Sequence, residues 1–201
     1  SSPLTRPDPS IQDFAAALAG TLSALGIGRC AIYAPNGAAK IALQFAVDHP
    51  ERVALTILDG LPWRAEPATP AEIEARLPVF APAADGSHLP REWSRVLDTH
   101  RWAPWFDRRS ATRLARRLPD DLELHEYAID VLMDAGRWRD AASAALRWRA
   151  APHLSRLRSP TVFVDRQDDP TDASLDRLPD PLPSGCSVER MPPQLPAWRS
   201  R

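Results

Sequence analysis

Lysine is nearly absent from this sequence, because Lys40 is the only one and arginine supplies the other basic side chains. The chain has 25 basic and 26 acidic residues, so its formal net charge is -1. A balanced charge argues against a broad nucleic-acid interface and against a surface that binds anionic membranes. We therefore expect no nucleic acid and no membrane among its partners.

Cysteine is also scarce, and the two residues, Cys30 and Cys186, each lie in an apolar, strand-like run. We expect two buried thiols rather than a disulfide, because nothing indicates an oxidising compartment. No apolar run is long enough to span a bilayer, and no signal-peptide pattern is present. These absences predict a cytoplasmic protein. A glycine-rich phosphate loop and a metal-ligand cluster are also missing, so we expect no cofactor and no metal.

The stretch CAIYAPNGAAKIALQFAVDHPERVALTILDG, residues 30–60, has the pattern of a strand, a sharp turn, a helix and a second strand. The apolar runs predict buried parallel strands at 29–34 and 53–58, with a helix at 38–47 between them. An earlier helix is predicted to begin after Ser10 and to end at Gly26. Together these elements form a βαβ unit with short connections.

From residue 61 to residue 150 the chain changes character, with many prolines and tryptophans and no strand alternation. Apolar spacing predicts helices at roughly 70–77, 89–101, 107–118, 120–135 and 137–150. Strands are predicted again at 161–165 and 186–190, with a short helix around 173–178. The prediction is an α/β core formed by residues 1–60 and 151–201, interrupted by a helical insertion at 61–150.

This order of elements resembles the α/β-hydrolase fold family, especially in the helix that ends in HPERV and the LDG that follows the next strand. The insertion looks like the cap of the dehalogenase and epoxide-hydrolase-like members, and of a bacterial subgroup in which the nucleophile is often replaced. The resemblance implies a parallel sheet flanked by helices, with an α-helical cap. It also implies hydrolysis of a small apolar ester, epoxide or halide.

The sharp turn departs from the family's catalytic pattern, G-x-S-x-G, in which a strained turn presents a nucleophilic serine. Here the turn reads Ala34-Pro35-Asn36-Gly37-Ala38, and the carboxamide of Asn36 is not a nucleophile at neutral pH. The resemblance places the catalytic acid at Asp168 or Asp169, with Asp59 as a competitor. No histidine follows His153, so the general base is missing as well.

Two functions follow from these departures: a hydrolase that is catalytically impaired in this chain, or a non-catalytic module that binds a small ligand or a protein. Asn36 itself is a remnant without a role, a ligand contact at the strand ends, or a precursor of aspartate. The last alternative exists because an Asn-Gly pair favours cyclisation and hydrolysis.

Candidate ligand contacts lie at the turn and in the insertion. The turn offers Pro35 and Gly37 beside Asp59, and the insertion offers His88, His125, Trp102 and Trp105. The competing interpretation for the four insertion residues is structural, since bulky aromatics often pack a domain against itself. His125 and Glu126 do not form a zinc motif, because no second histidine follows at helical spacing.

The family fold begins with strands that this sequence does not contain ahead of its first helix. We therefore expect the first predicted strand to have an unpaired edge, which natural proteins usually cover. There are four alternatives: the sequence is part of a longer chain, its gene has decayed, the protein self-associates, or a partner covers the edge.

Overall fold

The computed structural model describes residues 7–114, 118–134, 136–166 and 177–191. These residues form two compact units. The core unit comprises the described residues up to Ala68 and from Ala141 onward, and the helical unit comprises Thr69–Asp140. In the part of the chain described, no helix is both long and apolar enough to cross a membrane.

The core unit is built on a parallel sheet of four strands in the order β1-β2-β3-β4. The predicted strands are confirmed to within about a residue, as expected for pattern-based boundaries. The register pairs Pro35 with Asp59 and Asp59 with Val164, so the carboxyl ends of the first three strands meet at one edge. The strands are β1 (Cys30–Pro35), β2 (Val53–Asp59), β3 (Thr161–Arg166) and β4 (Cys186–Met191).

Helix α1 (Ile11–Ala24) begins and ends with the predicted signals. The Ser10 hydroxyl accepts a hydrogen bond from the backbone N–H of Asp13, and the Asp13 carboxylate accepts one from the Ser10 backbone N–H, which is a capping box. Gly26 follows the last turn with φ +70°, a left-handed conformation that glycine adopts without strain. Both helix ends are thus determined by local sequence.

Helix α2 (Ala38–Asp48) is the centre of the hydrophobic core. It packs against β1 and β2, and it also contacts α1 and the short helix α7 (Ala151–Leu154). Its small residues bring its axis close to the sheet, because alanines allow close approach of backbones. The buried side chains Leu43 and Phe45 fill the space between the helix and the strands. A 3-10 turn at Pro50–Arg52 then leads into β2.

Strand β1 is the edge of the sheet, and it pairs only with β2 among the described residues. The prediction that β1 is buried on both faces is wrong, since Ala31 is exposed and Tyr33 is 57% exposed. Side chains alternate along a strand, and no described element covers the face that these two residues share. The Asn36 N–H bonds to β2, so the Pro35 nitrogen faces the open side, where no ladder bond is lost.

The cysteines do not form a disulfide, and both are free and half-buried rather than fully buried. Each lies in an edge strand, Cys30 in β1 and Cys186 in β4, which explains the partial exposure. Burial raises the pKa of the Cys186 thiol, so it stays protonated at neutral pH.

The helical unit contains α3 (Pro70–Arg76), α4 (His88–Thr99) and α5 (Asp121–Asp134), close to the predicted bounds. Helix α6 (Trp138–Arg147) also forms as predicted, and its residues from Ala141 onward belong to the core unit. A helix was also expected around residues 173–178, of which 173–176 lie outside the described residues.

The helix predicted at 107–118 is wrong for the described residues of that segment. They contain only a 3-10 turn at Ser110–Thr112, and Trp102 forms an antiparallel bridge with Arg113. The Thr112 hydroxyl donates to the Asp107 carbonyl, and the Asp107 carboxylate accepts from the Arg109 backbone. Such local side-chain bonds compete with helical ones, and the apolar spacing did not reveal them.

Candidate functional site

The turn between β1 and α2 has the geometry of a strained elbow, with Asn36 at its apex. Asn36 has φ +49°, which is left-handed backbone in a residue other than glycine. Its N–H donates to the Asp59 carbonyl at 2.8 Å, and its carbonyl accepts from Ala39 N–H at 3.0 Å. The side chain is exposed. The elbow therefore presents a carboxamide where the resemblance implies a nucleophile.

Asp59 lies beside the elbow at the carboxyl end of β2 and is 6% exposed. The Tyr33 hydroxyl donates to Asp59 Oδ2 at 2.5 Å, a short bond typical of a phenol and a carboxylate. Sequence analysis missed Tyr33, because only the strand register shows that β1 brings its ring next to β2. The pair lies at the edge formed by the carboxyl ends of the strands, where ligands bind in such folds.

Lys40 lies one helical turn after Asn36 and is 2% exposed. Its ammonium donates to the Ala145 carbonyl at 2.7 Å and to the Trp148 carbonyl at 3.4 Å, near the end of α6. Burial, with a smaller contribution from the charge of Arg64, lowers the pKa of Lys40 to about 8. Its role is structural, because the ammonium is buried and both of its acceptors are backbone carbonyls of the core unit.

The histidines of the core unit lie at the opposite end of α2 from the elbow. The His49 ring packs 5.1 Å from Phe45 near the helix C-terminus. His153 stacks on Trp148 at 4.6 Å, and burial lowers its pKa, with Arg156 adding to the effect and Asp48 opposing it. The helix has 11 residues. At 1.5 Å per residue its ends are about 15 Å apart, beyond the reach of an imidazole. No described residue of the core unit therefore supplies Asn36 with a histidine base.

The remaining predicted contacts lie in different places. Pro35, Gly37 and Asp59 come together at the elbow, and Gly37 has an ordinary helical φ of -58° at the start of α2. Asp168 and Asp169, the expected acids, lie outside the described residues. Among the described residues no three side chains of His, Cys, Asp or Glu gather to hold a metal ion.

The four candidates in the helical unit do not share one site within it. Trp105 donates through Nε1 to the Arg76 carbonyl at 2.9 Å and lines an open groove. Trp102 lines a separate cavity. His125 is exposed on α5, whereas His88 lines a third cavity. The hydrogen bond of Trp105 agrees with the structural interpretation of that residue.

Comparison with models of known protein families gives no match, and comparison with curated protein sequences gives none either. Solved structures, in contrast, match well. An enol-lactonase from Burkholderia xenovorans superposes with a TM-score of 0.64 and 13% identity, over 92% of this chain and 66% of that one. A thermophilic esterase from Thermogutta terrifontis gives 0.58 and 19%, over 95% and 65%.

An enzyme that degrades N-acyl homoserine lactones gives a TM-score of 0.60 and 18% identity, over 93% of this chain and 69% of that one. The chain therefore spans about two thirds of the length of these structures. At such identities the match concerns the fold. This chain has the α/β-hydrolase fold, as the resemblance in sequence implied, with a parallel sheet flanked by helices.

Proposed function

We propose that this chain is a hydrolase-type protein for small apolar esters, epoxides or halides whose elbow is catalytically impaired. The observation that carries the proposal is the carboxamide of Asn36 at the apex of a left-handed elbow. An amide has no proton that a base can remove to make a nucleophile at neutral pH. The neighbours in structure act on esters and lactones by their names, which supports an acyl substrate class.

The elbow retains what a ligand site needs even without a nucleophile. The N-terminus of α2 and the Asn36 carboxamide offer hydrogen-bond donors, and the Tyr33–Asp59 pair lies beside them. We infer that a small molecule with a carbonyl group binds here, with the Asn36 amide taking the place of a reacting side chain. The non-catalytic, ligand-binding alternative thus uses the same residues as the impaired enzyme.

Turnover of activated short-chain esters tests the impairment. We expect the wild-type protein and the Asn36→Ala variant to give the same rate, because neither presents a nucleophile. The Gly37→Ala variant is the matched control, since a Cβ there would meet only the Ala145 Cβ at an ordinary 3.9 Å. The proposal would be overturned if the wild type hydrolysed the ester, the Gly37→Ala variant did so equally well, and the Asn36→Ala variant did not.

Ligand binding at the elbow has its own readout, because Asn36 is the only asparagine in the chain. Labelling asparagine with 15N gives a single side-chain amide signal in an NMR spectrum. A short-chain ester or amide that binds at the elbow should shift that signal, and Asn36→Ala should remove it. An unchanged signal at saturating ligand, with shifts elsewhere, would place the ligand site away from the elbow.

A second candidate is conversion of Asn36 to aspartate, which the exposed Asn36-Gly37 sequence favours. The Gly37 nitrogen would attack the Asn36 side-chain carbonyl and release ammonia, and water would open the resulting ring to a carboxylate. Aspartate is the nucleophile of the epoxide and halide branches implied by the resemblance. An intact mass that still matches asparagine at this position after long incubation would rule this candidate out.

A further inference from the structure

The helical unit contains a cavity of its own, of about 110 Å³. Its lining residues lie between positions 78 and 138, so it belongs entirely to this unit and not to the elbow. Most of its wall is apolar, and two polar side chains, His88 and Glu92, face the space. The apolar wall is formed by Pro78, Val79, Leu89, Val131, Leu132 and Trp138.

Glu92 is a carboxylate fixed in place at the cavity wall, and it is 4% exposed. Its Oε1 accepts a hydrogen bond from Arg95 Nε at 2.9 Å and another from Arg95 Nη2. The guanidinium of Arg95 lies 4.8 Å from the ring centroid of Trp138. The charge of Glu92 is thus compensated, while its Oε2 accepts no hydrogen bond from any of the residues that the structure describes. The cavity therefore contains one open acceptor.

His88 supplies the complementary donor. It precedes Glu92 by one turn of α4, so the two side chains share a helix face. Its Nδ1 accepts a hydrogen bond from the Ala83 backbone N–H at 3.1 Å. A neutral imidazole that accepts through Nδ1 carries its proton on Nε2. The second ring nitrogen is consequently a donor at the same cavity.

We propose that this cavity binds a small alcohol. The hydroxyl group donates to Glu92 Oε2 and accepts from His88 Nε2, and the hydrocarbon skeleton lies against the apolar wall. A hydrocarbon would leave both polar atoms without a partner, and a carboxylate would stand next to the acceptor oxygen of Glu92. A cavity of roughly 150 Å³ holds benzene, which has six heavy atoms, in another protein, so this smaller cavity limits the ligand to about four or five heavy atoms.

Isobutanol and isopentane form the decisive pair of probes, because they are equal in size and differ only in a hydroxyl group in place of a methyl group. The chain has 5 histidines, so the His88 ring signals can be followed by NMR during titration. We expect isobutanol to bind in a saturable manner and to shift the His88 signals, and isopentane to bind roughly fivefold more weakly. Equal affinity for the two probes, or no saturable binding of isobutanol, would overturn the proposal.

Two variants locate the site without removing the buried ion pair. Leu89 lines the cavity yet is 49% exposed, so it lies at the rim, and Leu89→Trp should close the mouth. Leu122 is 53% exposed elsewhere in the same unit, which makes Leu122→Trp the matched control. We expect the first variant to weaken isobutanol binding at least tenfold and the second to leave it unchanged. Equal binding by both variants would contradict the assigned site.

His88→Leu then tests the hydrogen bond itself. It keeps the helix and the apolar wall but removes the Nε2 donor, so isobutanol should bind about fivefold more weakly, whereas isopentane should not. A loss of both probes to the same extent would show that the imidazole acts by shape alone. None of these measurements depends on hydrolysis, so the inference stands or fails separately from the proposed function.

Discussion

The side chain at the apex of the elbow has to satisfy a backbone constraint before it can have any chemical role. Asn36 adopts φ +49°, and after glycine, asparagine is among the residues that tolerate this conformation best. The presence of asparagine therefore has a structural explanation that is independent of function. A serine placed here would carry strain, which catalytic elbows pay for elsewhere in the fold.

Substitution of Asn36 should consequently change stability in a predictable order. Asn36→Ala should lower the free energy of unfolding by about 1 kcal/mol, because alanine keeps the Cβ but lacks the short polar side chain by which asparagine tolerates left-handed backbone. Asn36→Gly should leave it unchanged or raise it. Thermal unfolding measures both, with a fall in Tm of about 2–4 °C expected for the alanine variant. If Asn36→Gly lowered the free energy of unfolding, the carboxamide would have to make stabilising contacts in addition to tolerating the left-handed backbone.

Lys40 makes a second prediction at the residue scale. Its pKa of about 8 in the folded chain is below the ordinary lysine value of 10.5, so the unfolded chain binds more protons between these pH values. The contribution of Lys40 to the free energy of unfolding should therefore rise from pH 8 to pH 10.5, by about 3 kcal/mol in total. Below pH 8 the cost of burying the charge is fully present.

The measurement of Lys40 is direct, because the chain has no other lysine. Labelling lysine with 13C at Cε gives one signal, and its titration reports the pKa without assignment. Denatured protein is the control and should titrate near the ordinary value for lysine. A midpoint in the folded protein that equals the denatured one would show that the ammonium is hydrated rather than buried.

At the scale of elements, α1 shows how two local signals act in opposite directions on stability. Ser10→Ala removes the capping box and should cost about 1 kcal/mol. Gly20 lies in the exposed middle of α1, and a Cβ there would meet no heavy atom within 4 Å. Gly20→Ala should therefore stabilise by roughly 0.5–1 kcal/mol, since alanine loses less backbone entropy. In urea, the Ser10→Ala variant should unfold at a lower midpoint concentration than the wild type, and the Gly20→Ala variant at a higher one.

Most elements could be predicted from sequence because their signals are local. The apolar runs of β2 and β3 are bounded by glycine and proline, and the elbow is marked by Asn36-Gly37 between a strand and a helix. The segment after Asp107 could not be predicted, since its apolar spacing fits a helix while its side chains bond to the backbone instead. The spacing of apolar residues alone does not reveal that side chains compete with the helix for backbone hydrogen bonds.

The site was less predictable, because its partners are distant in sequence. Lys40 bonds to a carbonyl 105 residues later in the chain, which no local pattern indicates. Its status as the sole lysine, on a helix of small apolar residues, was the one available signal. The contact of Tyr33 with Asp59 required the strand register, and the pair of Glu92 and Arg95 looks like any charged helix face in sequence.

At the scale of the whole molecule, the sheet edge along β1 remains to be accounted for. Within the described ranges nothing pairs with the outer side of β1, its residues Ala31 and Tyr33 are exposed, and an unpaired strand edge is a template for pairing with another chain. We propose that the protein self-associates through this edge.

Sedimentation should show concentration-dependent association, and Ala31→Lys should reduce it at least fivefold, because a charged edge disfavours pairing. Ala16→Lys, at an exposed position of α1, is the control of equal charge. A wild type that stays monomeric at all concentrations would contradict this.

Reaction with a fluorophosphonate probe, followed by intact mass, is the most direct measurement of whether the elbow is catalytically inert. Such probes phosphonylate the activated nucleophile of serine hydrolases and need no knowledge of the substrate. We expect the wild-type protein to gain no adduct under conditions that label an esterase completely, because the elbow carries an amide and no described residue of the core unit supplies it with an imidazole. A stoichiometric adduct that maps to any residue of the core unit would contradict it.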